Sequence, residues 1–472
     1  MRLKSMRLRS IKFIDRENEL SLLEEAYSSR RAELVIIYGR RRIGKTFLLS
    51  FFTRSKRAVY LVANYSEPEY ALRDLVEQLC RQVDLPYTPR IDSFRDLYKL
   101  FGQLKVRVVI IDEFQRLHDS GGVTELQSAW DHHLSRSGIM LILAGSSVGM
   151  MERIGLSYES PLYGRATRIL KMQELNYAAV RAFVTKYGEE DKVRVYAVFG
   201  GTPGYLALLD DSKGLMENIE NLVLKPGAPL REEPRVLLSM ELREPSRYLR
   251  VLEAVAGGAT RLGEIADKAG VTSSEVGKYV RILERDLDLI ERRYPLLEEG
   301  KRGKARYYLK DNFLKFWFSM IFPHINLLEL GLYDEVSRCI QASIDAFTSH
   351  IFEQVALQHF LSLAKRGILS VSKVGKWWHR DTEIDFVAID VKSNTAYFAE
   401  VKWSEKPLDK KVLYSLISKA EKFPWRRNTR RNIYVLYSRS GFSFSEEEDV
   451  QLYSLEDIKK DFDAIWPSVK TF

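Results

Sequence analysis

The sequence predicts a multidomain α/β protein, with a parallel sheet wrapped by helices in its first third and a second α/β domain at its C-terminal end. Three observations carry this. An apolar run, Leu34, Val35, Ile36 and Ile37, leads into Gly39-Arg40-Arg41-Arg42-Ile43-Gly44-Lys45-Thr46 and then into a helical pattern opened by Phe47, Leu48 and Leu49. A second apolar run at 106–111 ends on Asp112 and Glu113. Far downstream, two strand patterns carry Asp385 and the spacing Glu400-x-Lys402. Short apolar runs that stop abruptly are what a sheet covered on both faces requires.

The 472 residues suit about three domains of ordinary size. A 45% apolar content is that of a folded chain with ample core. The net charge of +9 fits either solubility or a polyanionic partner. Two distant cysteines, Cys80 and Cys339, exclude a disulfide framework or a cysteine zinc site and suit a reducing cytoplasm. No apolar run is long enough to span a membrane, and the basic opening stretch 1–13 lacks the apolar segment of a signal peptide.

The first element to justify is residues 13–27, an amphipathic helix with Asp15 placed to cap it. Next, the loop at 39–46 fits G-x-x-x-x-G-K-S/T between a strand and a helix. Its glycines let backbone N–H groups curl around a polyphosphate, and the helix N-terminus adds partial positive charge. Lys45 is expected to reach the β and γ phosphates of ATP, and Thr46 to bind Mg²⁺. A strand at 58–62 and helices at 68–83 and 92–104 follow. Asp112 is then expected to hold Mg²⁺ through water, and Glu113 to polarise the attacking water. After a strand at 140–145, Ser146 or Ser147 stands where a γ-phosphate would be sensed. Arg165, in preference to Arg168, is the candidate to neutralise the transferred phosphate, in cis or from a neighbouring copy, so self-association is an expectation.

Residues 174–222 read as helices broken at Phe199-Gly200-Gly201-Thr202-Pro203-Gly204. The P-loop, the Ile-Ile-Asp-Glu strand end and Gly201-x-Pro203 together resemble the archaeal ATPase family in the STAND branch of AAA+ proteins, over about residues 13–210. The resemblance implies nucleotide contacts from Asp15, Arg16, the loop 39–46 with Phe47, and Pro203. It departs from the pattern in lacking an arginine at the usual second sensor position.

Residues 221–246, with four prolines and mixed charge, read as a linker. Helices at 248–255, 261–270 and 272–283, then a β hairpin at 289–309, read as a winged helix-turn-helix. Its third helix would offer Ser273, Ser274, Lys278 and Arg281 to a DNA major groove, with Lys301, Arg302, Lys304 and Arg306 on phosphates. The alternative is an intramolecular packing module. The aromatic stretch 313–318 reads as a core helix rather than a base-stacking surface.

A helix at 346–365 carries Glu353; strands at 377–389 and 396–403 carry Asp385, Glu400 and Lys402. Residues two apart on a strand share a side, so Glu400 and Lys402 face one way. Two carboxylates beside a lysine can bind Mg²⁺ or Mn²⁺ and hydrolyse a phosphodiester. The order Glu353, Asp385, Glu400-x-Lys402 resembles the PD-(D/E)xK nuclease superfamily over about 340–440. That resemblance implies a restriction-endonuclease-like core of helix, three-stranded meander, helix and strand, with Glu353 as the helical acid. Lys406, Lys410, Lys411, Arg426, Arg427, Arg430 and Arg431 form either a positive approach or a solvated face.

The expected organisation is a P-loop ATPase core at 1–172, a helical lid and linker at 173–240, a winged helix at 241–312 and a nuclease-like domain at 313–472. The expected function is Mg²⁺-dependent ATP hydrolysis coupled to DNA binding or processing, with DNA cleavage by the last domain. The rival is a regulatory ATPase switch whose last domain binds nucleic acid without cutting.

Overall fold

The computed structural model describes residues 13–84 and 90–465; residues 1–12 of the basic opening stretch lie outside them. The chain divides into two compact units. One comprises Phe13–Glu174 with Arg281–Asp288, the other Leu175–Val280 with the chain from Leu289 onward. Most of the segments expected as lid, winged helix and C-terminal domain fall in the second unit, while 281–288 of the expected winged helix falls in the first.

The first unit is built on β1 (Glu33–Tyr38), β2 (Ala58–Val62), β3 (Val108–Asp112), β4 (Met140–Gly145) and β5 (Arg168–Lys171). Their order is β2-β3-β4-β1-β5, and every pairing is parallel. Successive residues of β1 enter opposite cores, Leu34 and Ile36 on one face, Val35 and Ile37 on the other. Burial on both faces explains the uninterrupted apolar runs. The expected helices are present as Pro68–Gln82 and Phe94–Phe101, the latter capped by Ser93 accepting from the Asp96 N–H. β5 went unread because its four residues begin and end in cations. The first helix starts at Glu17 with Arg16 at the cap position, and Asp15 has a left-handed φ of 53°.

In the second unit, the helices Glu189–Phe199 and Pro203–Leu206 flank the glycine break. A Cβ on Gly201 would lie 2.0 Å from the Leu175 carbonyl oxygen, so only glycine fits there. Pro203 opens its helix, where a missing N–H costs nothing. The linker expected at 221–246 is instead packed. It contains the helix Glu233–Glu241, and Leu230 and Leu238 are fully buried. Proline density misled because Pro234 sits in a helical first turn.

The helices Pro245–Ala256, Leu262–Ala269 and Ser273–Arg281 precede an antiparallel hairpin of β6 (Ile290–Arg293) and β7 (Arg306–Leu309). Ser273, Ser274, Lys278 and Arg281 are exposed. The hairpin is anchored to the C-terminal sheet. Leu296 enters that sheet's core, and its N–H donates to the Lys376 carbonyl at 2.9 Å. Arg306 pairs with Glu383 at 2.9 Å and lies 4.5 Å over the Trp378 ring. Arg306, expected to meet phosphates, is thus engaged on the C-terminal sheet. Lys301 and Lys304 each stand 3.3 Å from Glu298. Phe313, Phe316, Trp317 and Phe318 are all buried, as a core helix requires.

The last segment runs from the helix Tyr333–Lys365 through β8 (Lys373–His379), β9 (Thr382–Asp390) and β10 (Thr395–Lys402), then the helix Lys410–Ala420, β11 (Arg431–Ser438) and β12 (Val450–Ser454). The sheet order is β12-β11-β10-β9-β8. β8, β9 and β10 form an antiparallel meander, and β10, β11 and β12 run parallel. What read as one strand at 377–389 turns back between β8 and β9, with Arg380 at φ 52°. The long helix begins at Tyr333, well before 346.

Part of the basic run near this sheet is structural. Arg430 is buried and donates to the carbonyls of Ala420 at 2.8 Å, Phe423 at 2.7 Å and Trp425 at 2.5 Å. Arg431 pairs with Asp449 and Lys410 with Glu447. Among the described residues, no helix is long and apolar enough to cross a membrane.

Candidate functional site

The nucleotide loop leaves the C-terminal end of β1. A Cβ on Gly39 would come 2.6 Å from the Met172 carbonyl oxygen, so the backbone passes where no side chain fits. Gly44, at φ 97°, delivers the chain into the helix Lys45–Thr53. Lys45 is buried, and its ammonium donates to the carbonyls of Gly39 at 2.6 Å and Arg40 at 2.9 Å. It thus lies across the loop that would enclose the phosphates. Arg16 steadies the loop from the lead-in, donating to the carbonyls of Ile43 at 3.2 Å and Gln173 at 2.7 Å. Arg40 is held by Glu174 at 2.7 Å. Phe13 stacks on Phe51 at 4.2 Å and stands 6.1 Å from Phe47.

Beside the loop, Thr46 Oγ1 donates to Asp112 Oδ2 at 3.1 Å. The Tyr60 hydroxyl donates to the same oxygen at 2.6 Å, while Asp112 Oδ1 accepts the Glu113 N–H at 2.9 Å. Burial, followed by the nearby Asp112 charge, raises the Tyr60 phenol, so it remains a donor at neutral pH. Glu113, at φ 53°, accepts from Ser146 Oγ at 2.8 Å and Gln115 Nε2 at 2.6 Å. Of the two sensor candidates, Ser146 is the one joined to the site; Ser147 occupies the cap position of the helix Val148–Gly155. Thr46 and Asp112 supply hard oxygens side by side, a donor set that fits Mg²⁺. Arg165 is instead clamped by Asp131, with N–O distances of 2.8 and 2.7 Å. Arg168 stands 3.7 Å from Glu25. Pro203 lies in the second unit, where it opens its own helix.

The second constellation is on the C-terminal sheet. Asp385 on β9 accepts the Val401 N–H at 2.8 Å, which brings it to β10 beside Glu400. Lys402 Nζ donates to Glu400 Oε1 at 2.7 Å. Lys419, from the helix Lys410–Ala420, donates to both Glu400 oxygens at 3.0 and 2.8 Å. Lys376 on β8 joins Glu353 at 3.0 Å and Glu383 at 2.7 Å. The structure thus brings Glu353, Asp385, Glu400 and Lys402 into one cluster and adds Lys376, Lys419 and Glu383. Desolvation, then the charges of Glu353 and Glu400, pushes the Asp385 carboxyl up to about 7. Among the described residues, no three Asp, Glu, His or Cys side chains converge as a metal cage. Asp385 and Glu400 place two carboxylates on adjacent strands, a donor set that could fit Mg²⁺, an ion that keeps much of its water. The lone signal for the added lysines was composition, and a lysine on a helix ordinarily reads as solvated.

A five-stranded parallel sheet with this loop after its third-ordered neighbour's partner, β1, and acids ending β3 defines a P-loop ATPase core. A family described as an ATPase domain predominantly from Archaea matches residues 13–209, and one described as archaeal and bacterial proteins of unknown function matches 317–415. An uncharacterized protein of Methanocaldococcus jannaschii is 33% identical over 451 residues, covering 94% of this chain and 99% of its own. The chain belongs to this archaeal ATPase family. An uncharacterized ATP-binding protein of the same organism is 43% identical over 47 residues, 10% of this chain and 80% of its own. The Walker-type ATPase of Pyrococcus abyssi shares the fold, with a TM-score of 0.50 and 20% identity over 67% of this chain and 99% of that one. The family and fold are those of an ATP-hydrolysing enzyme.

Proposed function

We propose that the protein hydrolyses Mg-ATP at the Lys45 loop and uses this to control DNA processing by the C-terminal cluster, which acts as a metal-dependent nuclease of the PD-(D/E)xK type. In this reading Thr46 and Asp112 hold Mg²⁺, Lys45 neutralises the phosphates, and Glu113, once released from Ser146, orients the attacking water. Asp385 and Glu400 hold Mg²⁺ or Mn²⁺, Lys402 faces the scissile phosphodiester, and Glu353 acts through Lys376. Bound there, a divalent ion supplies charge neutralisation and an acidified water. The observation that carries the nuclease reading is Lys402 at 2.7 Å from Glu400, with Asp385 tied to the same strand at Val401. The three helices and hairpin of 245–309 serve as a winged helix, the exposed helix face at Ser273, Ser274, Lys278 and Arg281 being its DNA side. Arg165, once free of Asp131, acts across a subunit boundary.

The test is DNA cleavage with Mg²⁺ or Mn²⁺ on duplex, branched and single-stranded substrates, comparing wild type with Asp385→Ala and Lys402→Ala. Loss of cutting in both variants supports the reading. Wild type that binds DNA without cutting, with both variants binding equally, leaves the regulatory switch in its place. Lys-balanced carboxylates, as at Glu400 and Glu353, are the observation that favours that second reading.

A further inference from the structure

Glu400 accepts from two ammoniums at once. Both its oxygens accept from Lys419, and Oε1 also accepts from Lys402. The Lys419 ammonium therefore sits astride the carboxylate, in the place a chelated cation would take. Its neighbour Asp385 is satisfied by a backbone N–H of Val401 and has no ion-pair distance to either lysine in the structure. The two lysines differ in freedom. Lys402 lies two residues from Glu400 on the same strand, so the pleat keeps both on one side. Lys419 reaches in from a helix on a long flexible stem, with its side chain 27% exposed against 8% for Glu400.

Two ammoniums and a dication cannot share one buried carboxylate at hydrogen-bonding distance without strong repulsion. A metal bound by Asp385 and Glu400 must therefore expel one lysine, and the helix-borne one can withdraw. We infer that Lys419 exchanges with the metal. It holds Glu400 while the cluster is empty, yields to a divalent cation, and then places its charge on a phosphodiester oxygen of the nucleic acid. This rests on the metal-dependent reading of the cluster and adds a phosphate-binding lysine that the Glu400-x-Lys402 spacing does not contain.

The experiment is calorimetric titration of the nucleotide-free full chain with Mn²⁺, followed by DNA binding in the presence of Mn²⁺. Wild type should bind Mn²⁺ at a site that Asp385→Asn removes. Lys419→Met should bind Mn²⁺ about tenfold more tightly, because its competitor is gone, while the Mn²⁺-loaded protein binds DNA more weakly. Lys419→Gln, which keeps a polar end, should behave the same way and guards against misfolding. Unchanged or weaker Mn²⁺ affinity in both Lys419 variants overturns the exchange and leaves the metal site standing. A wild-type titration indistinguishable from that of Asp385→Asn overturns the metal site and the exchange with it.

Discussion

At the nucleotide loop Asp112 and Glu113 are held by hydroxyls; in the C-terminal cluster Glu400 and Glu353 are held by ammoniums. Asp112 accepts from Thr46 and Tyr60, and Glu113 from Ser146. Glu400 accepts from Lys402 and Lys419, and Glu353 pairs with Lys376. A hydroxyl orients an acid without cancelling its charge, so a cation can be added to the first site with no competitor to remove. An ammonium does both, so the second site must exchange one positive charge for another. The difference predicts that the first site binds its metal readily with nucleotide, whereas the second answers to whatever displaces its lysines.

The largest expected effect separates the two sites outright. Lys45→Ala removes the charge on the phosphates and should lower phosphate release by at least about 100-fold. Retained turnover in a phosphate-release assay would break the assignment. Arg430→Met tests the use of cations as props in the C-terminal sheet. Two buried carbonyls and one half-buried carbonyl lose their donor, so urea unfolding should show a loss of about 3 kcal/mol, with ATP affinity unmoved. A loss below about 0.5 kcal/mol would mean the three bonds are not made in solution. Tyr60→Phe probes the hydroxyl side of the comparison. One hydrogen bond to Asp112 is worth about 1 kcal/mol, so the Mg²⁺ concentration needed for half-maximal turnover should rise several-fold. Unchanged Mg²⁺ dependence would show that Tyr60 does not set the acid.

The smallest effect is a pH dependence. His359 is buried between the Tyr437 hydroxyl at 3.0 Å and Asp461 at 2.9 Å. Desolvation outweighs Asp461 and lowers its pKa from the ordinary 6.5. The unfolded chain then binds the proton more readily than the folded one, so this group's contribution is fully present above pH 6.5 and is lost as pH falls below it. Melting between pH 7.5 and 5 should drop less in His359→Gln than in wild type; a larger drop in the variant would reverse the sign.

The nucleotide site was legible because its chemistry is local. One loop carries Gly39 to Thr46 in order, and Asp112 and Glu113 end a strand that cannot be mistaken. Tyr60 was not legible, because only the pairing of β2 with β3, Val62 opposite Asp112, sets its hydroxyl on that acid. In the C-terminal cluster the two-residue spacing that puts Glu400 beside Lys402, and the element order of helix, meander, helix and strand, were foreseen. Lys376 and Lys419 come from another strand and another helix, where spacing says nothing. The hairpin misled for a related reason. Basic residues at a turn look solvent-bound until Leu296 is found in a neighbouring core and Arg306 on Glu383.

The central claim is that the Lys45 site governs an act on DNA performed at Glu400 and Lys402. The most direct measurement is the rate of DNA cleavage by the full chain in Mn²⁺, with and without ATP, in wild type, Lys45→Ala and Lys402→Ala. The account predicts cleavage in wild type that changes on adding ATP, cleavage in Lys45→Ala that ignores ATP, and none in Lys402→Ala although its phosphate release is intact. Equal cleavage in wild type and Lys402→Ala, or no cleavage in any of the three, would contradict it.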